Sequence, residues 1–190
     1  MRIFKTLCII LLSLTLAGCL YSFYPAYNPD DVIYQQDLLG NWQDQKQPED
    51  QWSFQPYGEN AYEVTIKNEG EELAFIGHLF TLGENQFLDF FPKKKEGTTF
   101  ASELVAPYHM IVMMRKQGDG WQVVYLNYDW AQKMIEEKKF EGKYIKVDDG
   151  GTEVLTTSTE ETRALLKEYV KDAFDTSDSV VKLIRQSQPL

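Results

Sequence analysis

The sequence predicts a mainly β domain in which about eight antiparallel strands form a barrel or a sandwich, with a C-terminal α-helix packed outside. Short segments of period-two hydrophobicity follow one another from residue 38 to residue 147. Turn residues separate these segments at the regular spacing that is typical of antiparallel all-β folds. A segment of helical period begins only after Ser158, so we expect that helix to cover the strands from outside.

The first 18 residues have the pattern of an export signal. Residues 1–5 carry Arg2 and Lys5, and residues 6–16 form an apolar run. That run is too short to span a bilayer as a mature helix. We therefore predict that residues 1–18 are a signal peptide.

The tetrapeptide Leu16-Ala17-Gly18-Cys19 resembles the lipobox of bacterial lipoproteins at all four positions. The resemblance implies cleavage before Cys19, diacylation of its thiol and acylation of the new amine by a fatty acid such as palmitate. It further implies an exported protein with a membrane anchor in the cell envelope. Leu20 in place of an aspartate resembles lipoproteins sorted to an outer membrane, facing the periplasm. The alternative is an ordinary secretory signal followed by a chance cysteine.

Charge and cysteine content exclude several classes of partner. The chain has a net charge of −10, and losing Arg2 and Lys5 with the leader would leave −12. Such an acidic protein is not expected to bind nucleic acid or to gain from anionic lipids, so membrane attachment must come from acyl chains. Its only cysteines are Cys8 and Cys19. The folded part is therefore expected to contain no disulfide and no cysteine metal ligand.

Residues 19–30 are predicted to be a lipidated tether, and residues 31–190 to be the barrel with its C-terminal helices. The tether is rich in aromatic residues, namely Tyr21, Phe23, Tyr24 and Tyr27. They either sit at the level of the lipid headgroups or pack back on the domain. Asn28 and Pro29, followed by two aspartates, predict the start of a short helix.

The predicted strands follow in series. Residues 61–68 show the cleanest alternation of apolar and polar side chains. Gly118-Asp119-Gly120 predicts a tight hairpin turn, and residues 100–115 form one strand or two that break near Pro107. The segment 143–147 is predicted to be the last strand of the barrel. The full set is 38–42, 51–57, 61–68, 73–82, 86–91, 100–115, 121–128 and 143–147.

Helical signals are concentrated in the last third of the chain. Residues 129–139 predict a short helix with Trp130 and Met134 on its inner side. Residues 158–175 predict an amphipathic helix that starts with a capping box formed by Ser158 and Glu161. Residues 177–190 are predicted to form a shorter helix or a docked tail.

The tripeptide Gly40-Asn41-Trp42, ahead of about eight strands and a C-terminal helix, resembles the lipocalin pattern. In lipocalins this motif lies on the first strand and plugs the closed end of an eight-stranded barrel. A basic residue from late in the chain often covers the tryptophan, a role that Arg163 or Arg185 would fill here. The resemblance therefore implies a lipocalin-like β-barrel closed by Gly40 and Trp42, although the T-D-x-x-Y element of that family is absent.

The candidate chemical groups favour binding over catalysis. His78 and His109 each lie within an apolar strand, where a histidine is either a hydrogen-bonded core residue or a polar contact for a ligand. Asp89 is either inside the cavity or an outward residue. Methionines near His109 lie too far apart along one strand to form a metal site by themselves. Hydrolase, zinc-protease and nucleotide-binding motifs are absent, so we expect neither an enzyme nor a bound cofactor or metal.

Two functions remain open. The first is ligand binding, in which the cavity of a membrane-anchored barrel holds a small hydrophobic or amphipathic molecule. Its candidate ligand-binding residues are His78, Phe80, His109 and Met113. The alternative is a non-catalytic envelope module for structure or protein interaction, with the barrel filled by bulky side chains. A cavity of several hundred cubic ångströms would favour the first function and a filled interior the second.

Overall fold

The centre of the fold is a closed barrel of antiparallel strands. In the computed structural model, residues 20–68, 70–93, 108–140, 142–147, 153–174 and 180–186 are described. Strands in these residues are β1 (Leu20–Ser22), β2 (Gly40–Asp44), β3 (Gln51–Tyr57), β4 (Ala61–Asn68), β5 (Glu71–Leu82), β6 (Asn85–Pro92), β7 (His109–Gln117), β8 (Gly120–Val124), β9 (Tyr144–Lys146), β10 (Glu153–Leu155) and β11 (Val180–Arg185).

Eight of these strands form the barrel. From β2 to β8 each strand pairs with the next one along the chain, always antiparallel. Strand β11 then pairs with both β8 and β2 and closes the ring. The predicted mainly β fold with eight antiparallel strands is confirmed, and it is a barrel rather than a sandwich. The architecture is consistent with a lipocalin-like barrel.

The inner face of the barrel follows from the period of two. All eight strands contribute alternate side chains to one buried cluster, for example Trp42 from β2, Phe54 from β3 and Leu183 from β11. Side chains one residue out of phase point away from this cluster. Because the ring is closed, no barrel strand offers a free edge to another chain over its paired length.

Glycines fix the hairpin between β7 and β8. Gly118 has a φ of +58°, which the tight turn requires and which side chains with a Cβ rarely adopt. A Cβ on Gly120 would lie 2.6 Å from the carbonyl oxygen of Leu183 in β11. The predicted Gly118-Asp119-Gly120 turn is therefore confirmed, and its last glycine also admits the strand that closes the barrel.

The end of the chain differs from the prediction. The predicted last barrel strand at 143–147 lies outside the ring, where β1 pairs with β7, β10 pairs with β1, and β9 pairs with β10. The closing strand is β11, within the segment predicted to be a helix or a docked tail. A short apolar segment fits a helix and a strand equally well, and here the open edges of β8 and β2 select the strand.

Residues 20–30, assigned to a tether by the sequence, are packed on the domain. Strand β1 lies between β7 and β10. Phe23 packs edge-on against Tyr108, and Tyr27 stacks on His78 with ring centroids 4.5 Å apart. Tyr24 remains 54% exposed. The predicted short helix is a single 3₁₀ turn at Pro29–Asp31, and a second 3₁₀ turn at Gln36–Leu38 leads into β2.

Two α-helices in the described residues cover the barrel from outside. Helix α1 (Tyr128–Glu136) begins where the Asn127 side chain accepts the Trp130 N–H, so the strand predicted at 121–128 ends early. Helix α2 (Thr159–Ala173) starts with the predicted capping box of Ser158 and Glu161. A second apolar cluster joins this outer layer to β5–β8, and its buried members are Ala26, Phe80, Leu82, Phe87, Ile111, Met113, Val124, Leu126, Leu166, Ala173 and Phe174.

Candidate functional site

The closed end of the barrel carries the Gly40-Asn41-Trp42 motif. Trp42 is fully buried, and its indole N–H donates to the Leu38 carbonyl oxygen at 2.8 Å, within the 3₁₀ turn that plugs this end. The Arg185 guanidinium lies 4.4 Å from the centroid of the Trp42 ring and donates to the carbonyl oxygens of Leu39 and Asp37. Arg185, one of the two basic residues that the sequence offered for this position, thus covers the Trp42 ring.

Gly40 leaves room for this arginine. Its φ is +118°, and a Cβ there would lie 3.0 Å from Arg185 Nη1. Arg163, the other basic candidate, instead pairs with Asp31 at 2.7 Å and donates to the Ala26 carbonyl oxygen. The motif, the 3₁₀ turn before it and the covering arginine therefore pack together at this end of the barrel.

Replacing Arg185 with alanine is expected to lower the free energy of unfolding by about 1–3 kcal/mol, because a cation–π contact and two charged hydrogen bonds are lost. Arg185→Lys should lose less, since an ammonium keeps the charge but not the forked pair of donors. Urea unfolding of both variants measures this. Lys167→Ala, on the exposed side of α2, is the control and should change stability by less than about 0.5 kcal/mol. Equal effects of Arg185→Ala and Lys167→Ala would contradict the role given to Arg185.

The barrel interior is filled by side chains. Members of the inner cluster that are completely buried are Leu38, Trp42, Phe54, Tyr62, Val64, Leu79, Leu88, Phe90, Val112 and Val123. Trp52 and Met110 are nearly buried and belong to the same cluster. Aromatic rings contact one another across the interior, as do Trp52 and Phe90, whose centroids lie 6.0 Å apart.

Two pockets stand out in the described residues, and neither lies inside the barrel. An apolar pocket between α1, α2 and β10 has a volume of about 20 Å³, far below the several hundred cubic ångströms of a typical ligand pocket. A groove of about 320 Å³ follows the outer face of β2–β5 and is lined mostly by polar side chains such as Asn41, Ser53 and Thr65. Neither pocket is the apolar cavity inside the barrel that was predicted from the sequence as a ligand site.

All four candidate ligand-binding residues lie on the outer face of the barrel. Phe80 and Met113 are buried in the outer cluster, beneath α2 and the N-terminal segment. His78 is two residues before Phe80 on β5, and His109 is four residues before Met113 on β7, so each shares the outward face of its neighbour. The expectation that these side chains face the cavity is therefore wrong. The structure brings them to one covered wall instead.

Asp89 lies on β6, between the strands that carry His78 and His109, and on the same outer face of the barrel. It is outward and buried, and in register it lies opposite His78 on β5 and Ile111 on β7. One carboxylate oxygen is 2.6 Å from His109 Nδ1, and the other accepts the Ala26 N–H at 2.8 Å. Asp89 thus fastens the N-terminal segment to the barrel. The alternation of β6 could not show whether the Asp89 side chain faces inward or outward. The hydrogen-bond partner of Asp89, Ala26, lies 63 residues away in the chain, so no local pattern could have predicted the contact.

Burial shifts the pKa of two side chains in this cluster. It lowers the pKa of His78, which the Asp89 carboxylate opposes and His109 reinforces. Burial, followed by the charge of Asp89, raises the pKa of Tyr27. Neutral His78 stacked on neutral Tyr27 therefore suits a covered apolar wall.

A buried serine lies beside the Asp89–His109 pair without a hydrogen bond to His109 among the described residues. Ser22 lies opposite His109 in the register of β1 and β7. Its side chain is completely buried, and its hydroxyl oxygen accepts the Tyr24 N–H at 3.2 Å. The arrangement serves to pack β1 and the following residues onto the barrel.

Lowering the pH is expected to destabilise the fold through His78. A histidine whose folded-state pKa is lowered contributes stability that is present above its ordinary value of 6.5 and lost as the pH falls below it. His78→Phe keeps a ring to stack on Tyr27 and removes the titration. Urea unfolding at about pH 7.5 and about pH 5.5 should show a smaller loss of stability in the variant than in the wild type. The same loss in both proteins would rule out a contribution from His78.

The described residues have neither a metal-binding cluster nor a membrane-spanning helix. They contain no group of three or more histidine, cysteine, aspartate and glutamate side chains placed to hold a metal ion. In the same residues no helix combines the length and apolar character needed to cross a bilayer. Cys19, the predicted lipidation site, and the leader lie outside the described residues.

No protein-family model matches this chain, and no curated protein or solved structure matches it either.

Proposed function

We propose that this chain is a lipid-anchored protein of the bacterial cell envelope whose barrel is a non-catalytic structural or protein-interaction module. One observation carries the choice between the two functions that the sequence left open. Alternate side chains from all eight strands, including Trp42, Phe54 and Phe90, fill the space in which a ligand would lie. A filled interior favours the interaction function over the carriage of a small molecule.

The anchoring part of the proposal depends on the leader and the lipobox. The apolar run ends at Leu16-Ala17-Gly18-Cys19, where the lipoprotein pattern places the cleavage and acylation site. The chain enters the fold at Leu20, immediately after that cysteine. The module proposed here is therefore a domain carried at the membrane by acyl chains on Cys19, with two or more chains giving stable attachment.

Ligand titration tests the barrel. We expect the protein starting at Leu20 to show no saturable binding of a fluorescent fatty-acid analogue or of haem. Phe90→Ala titrated with benzene is the positive control, because the substitution opens a dry apolar cavity of the kind that admits a small aromatic molecule. A saturable one-to-one site in the unaltered barrel near micromolar affinity, about −8 kcal/mol, would overturn the filled-barrel proposal in favour of a ligand carrier.

Mass spectrometry and detergent partitioning test the anchor. The native protein should begin at an acylated Cys19 and enter the detergent phase, whereas Cys19→Ser should stay in the aqueous phase or retain its leader. Cys8→Ser is the control, because Cys8 lies inside the predicted signal peptide and should be dispensable. An unmodified Cys19 in the native protein would refute the anchor.

A further inference from the structure

The fold begins without a linker after the residue that carries the proposed anchor. Leu20 pairs with Ile111 on β7, and Tyr21 pairs with both Met110 on β7 and Val154 on β10. Strand β1 is thus held on both of its edges. Leu20 follows Cys19 directly in the sequence, so no linker residue separates the proposed acylation site from a strand that is paired on both edges. A domain held this closely has little freedom to turn relative to the bilayer.

The registers of β1 with β10, and of β10 with β9, show which residues lie beside the start of β1. Strand β10 runs parallel to β1 and β9 runs antiparallel to β10, so Lys146, at the end of β9, lies at the same end of this small sheet as Leu20. Two strand spacings of about 4.8 Å separate β1 from β9. Val147 follows β9 directly and is 38% exposed. The end of β9 is therefore about 10 Å from the strand that leads to the anchor.

Helix α1 borders this surface and is charged on its exposed side. The Gln132 side chain on α1 lies 3.5 Å from the Glu153 carboxylate at the start of β10. Asp129 and Lys133 are exposed on the same helix, so α1 does not extend the apolar part of this surface. The ammonium of Lys146 pairs with Glu153 at 3.4 Å, so these two charges offset each other.

We propose that this surface, formed by the start of β1 and the end of β9, lies against the lipid bilayer. The occupant of the surface is the headgroup layer of the membrane that holds the acyl chains. This inference rests on the proposed lipid anchor and adds one fixed orientation to it. Contact through Ile145 and Val147, which are two residues apart at the end of β9 and are 42% and 38% exposed, depends on apolar burial and therefore suits an acidic protein.

The barrel itself defines the side that faces away. Strand β3 is four strands from β7 in either direction around the ring of eight, and it therefore lies on the opposite wall. Gln55 on β3 is exposed and out of phase with the inward Phe54. A label at Gln55 is thus a matched control for a label near the anchor.

Because the chain contains only two cysteines, a single reactive thiol can be introduced at a chosen position for labelling. If Cys8 is removed and Cys19 is acylated, Val147→Cys and Gln55→Cys each provide the one reactive thiol. The native lipidated protein carrying a polarity-sensitive fluorophore at either site is reconstituted into phosphatidylcholine vesicles that contain a nickel-chelating lipid as quencher. We expect a blue shift and strong quenching at position 147, and neither at position 55.

The outcomes separate this inference from the anchor. Vesicle flotation with equal quenching at both positions would overturn the fixed orientation and leave the lipid anchor intact. Stronger quenching at position 55 would place the opposite wall on the membrane and would also overturn it. Failure to float, together with a second label on Cys19, would refute the anchor and this inference with it. Denaturant unfolding in detergent verifies that both labelled variants are folded.

Discussion

A chain that ends at Phe174 is expected to lose its cooperative unfolding transition, whereas a chain that ends at Gln186 keeps it. The shorter chain lacks β11, which pairs with β8 through residues 180–183 and with β2 through residues 183–185. Its removal opens the ring and leaves two unpaired edges, on β8 and β2, which promote aggregation. It also removes Leu183 from the inner cluster and Arg185 from the closed end.

Urea unfolding followed by circular dichroism and tryptophan fluorescence measures this effect. Both truncated chains keep α2, so the comparison isolates the closing strand from the outer helix. Size-exclusion chromatography reports the aggregation expected of the shorter chain. A sharp transition and a monomeric profile for the chain ending at Phe174 would mean that the strands β2–β8 fold without closure.

Trp42→Ala is expected to lower the free energy of unfolding by about 3–5 kcal/mol, a large part of the stability of a domain of this size. The substitution leaves a cavity at the closed end, removes the hydrogen bond to the Leu38 carbonyl oxygen and leaves Arg185 without its ring. Chemical denaturation of the leaderless protein measures the change. A loss below about 1 kcal/mol would show that Trp42 does not hold the closed end, since core truncations of this size cost several times more.

A matched pair of substitutions separates the indole hydrogen bond from the volume of the ring. Trp42 and Trp121 are both buried in the inner cluster, but the Trp121 indole N–H has no hydrogen-bond partner among the described residues. Trp42→Phe removes a made hydrogen bond, and Trp121→Phe removes an unpaired buried donor. Trp42→Phe is therefore expected to be the more destabilising by about 1–3 kcal/mol. Equal losses would mean that the bond to Leu38 contributes nothing.

Most of the strands could be predicted from local pattern. Residues 61–68 alternate between apolar and polar side chains, and the structure has a strand over this range. Glycines mark the hairpin at 118–120, and Ser158 with Glu161 marks the start of α2. These signals lie within a few residues of the feature they specify, so a single sequence is enough to find them.

Closure of the barrel could not be predicted in the same way. Val180, Val181, Leu183 and Ile184 fit a helix or a strand, because six residues contain too few periods to distinguish the two. The unpaired backbone groups of β8 and β2 decide the matter, and those strands lie far away along the chain. The closing residue Arg185 was one of two basic candidates until the register placed it beside Trp42.

The sequence by itself determined most of the barrel strands, which side chains share a face, and where the export and acylation pattern lies. Only the tertiary structure decided which face of β5, β6 and β7 is inside. Both faces of these strands are apolar, since one meets the barrel core and the other meets α2 and the N-terminal segment. The period of two places His78 on the same face as Phe80, and His109 on the same face as Met113. It does not show which face is inside the barrel when both faces are buried. The candidate ligand residues were therefore grouped correctly and assigned to the wrong side, because the layers that cover the outer face come from distant parts of the chain.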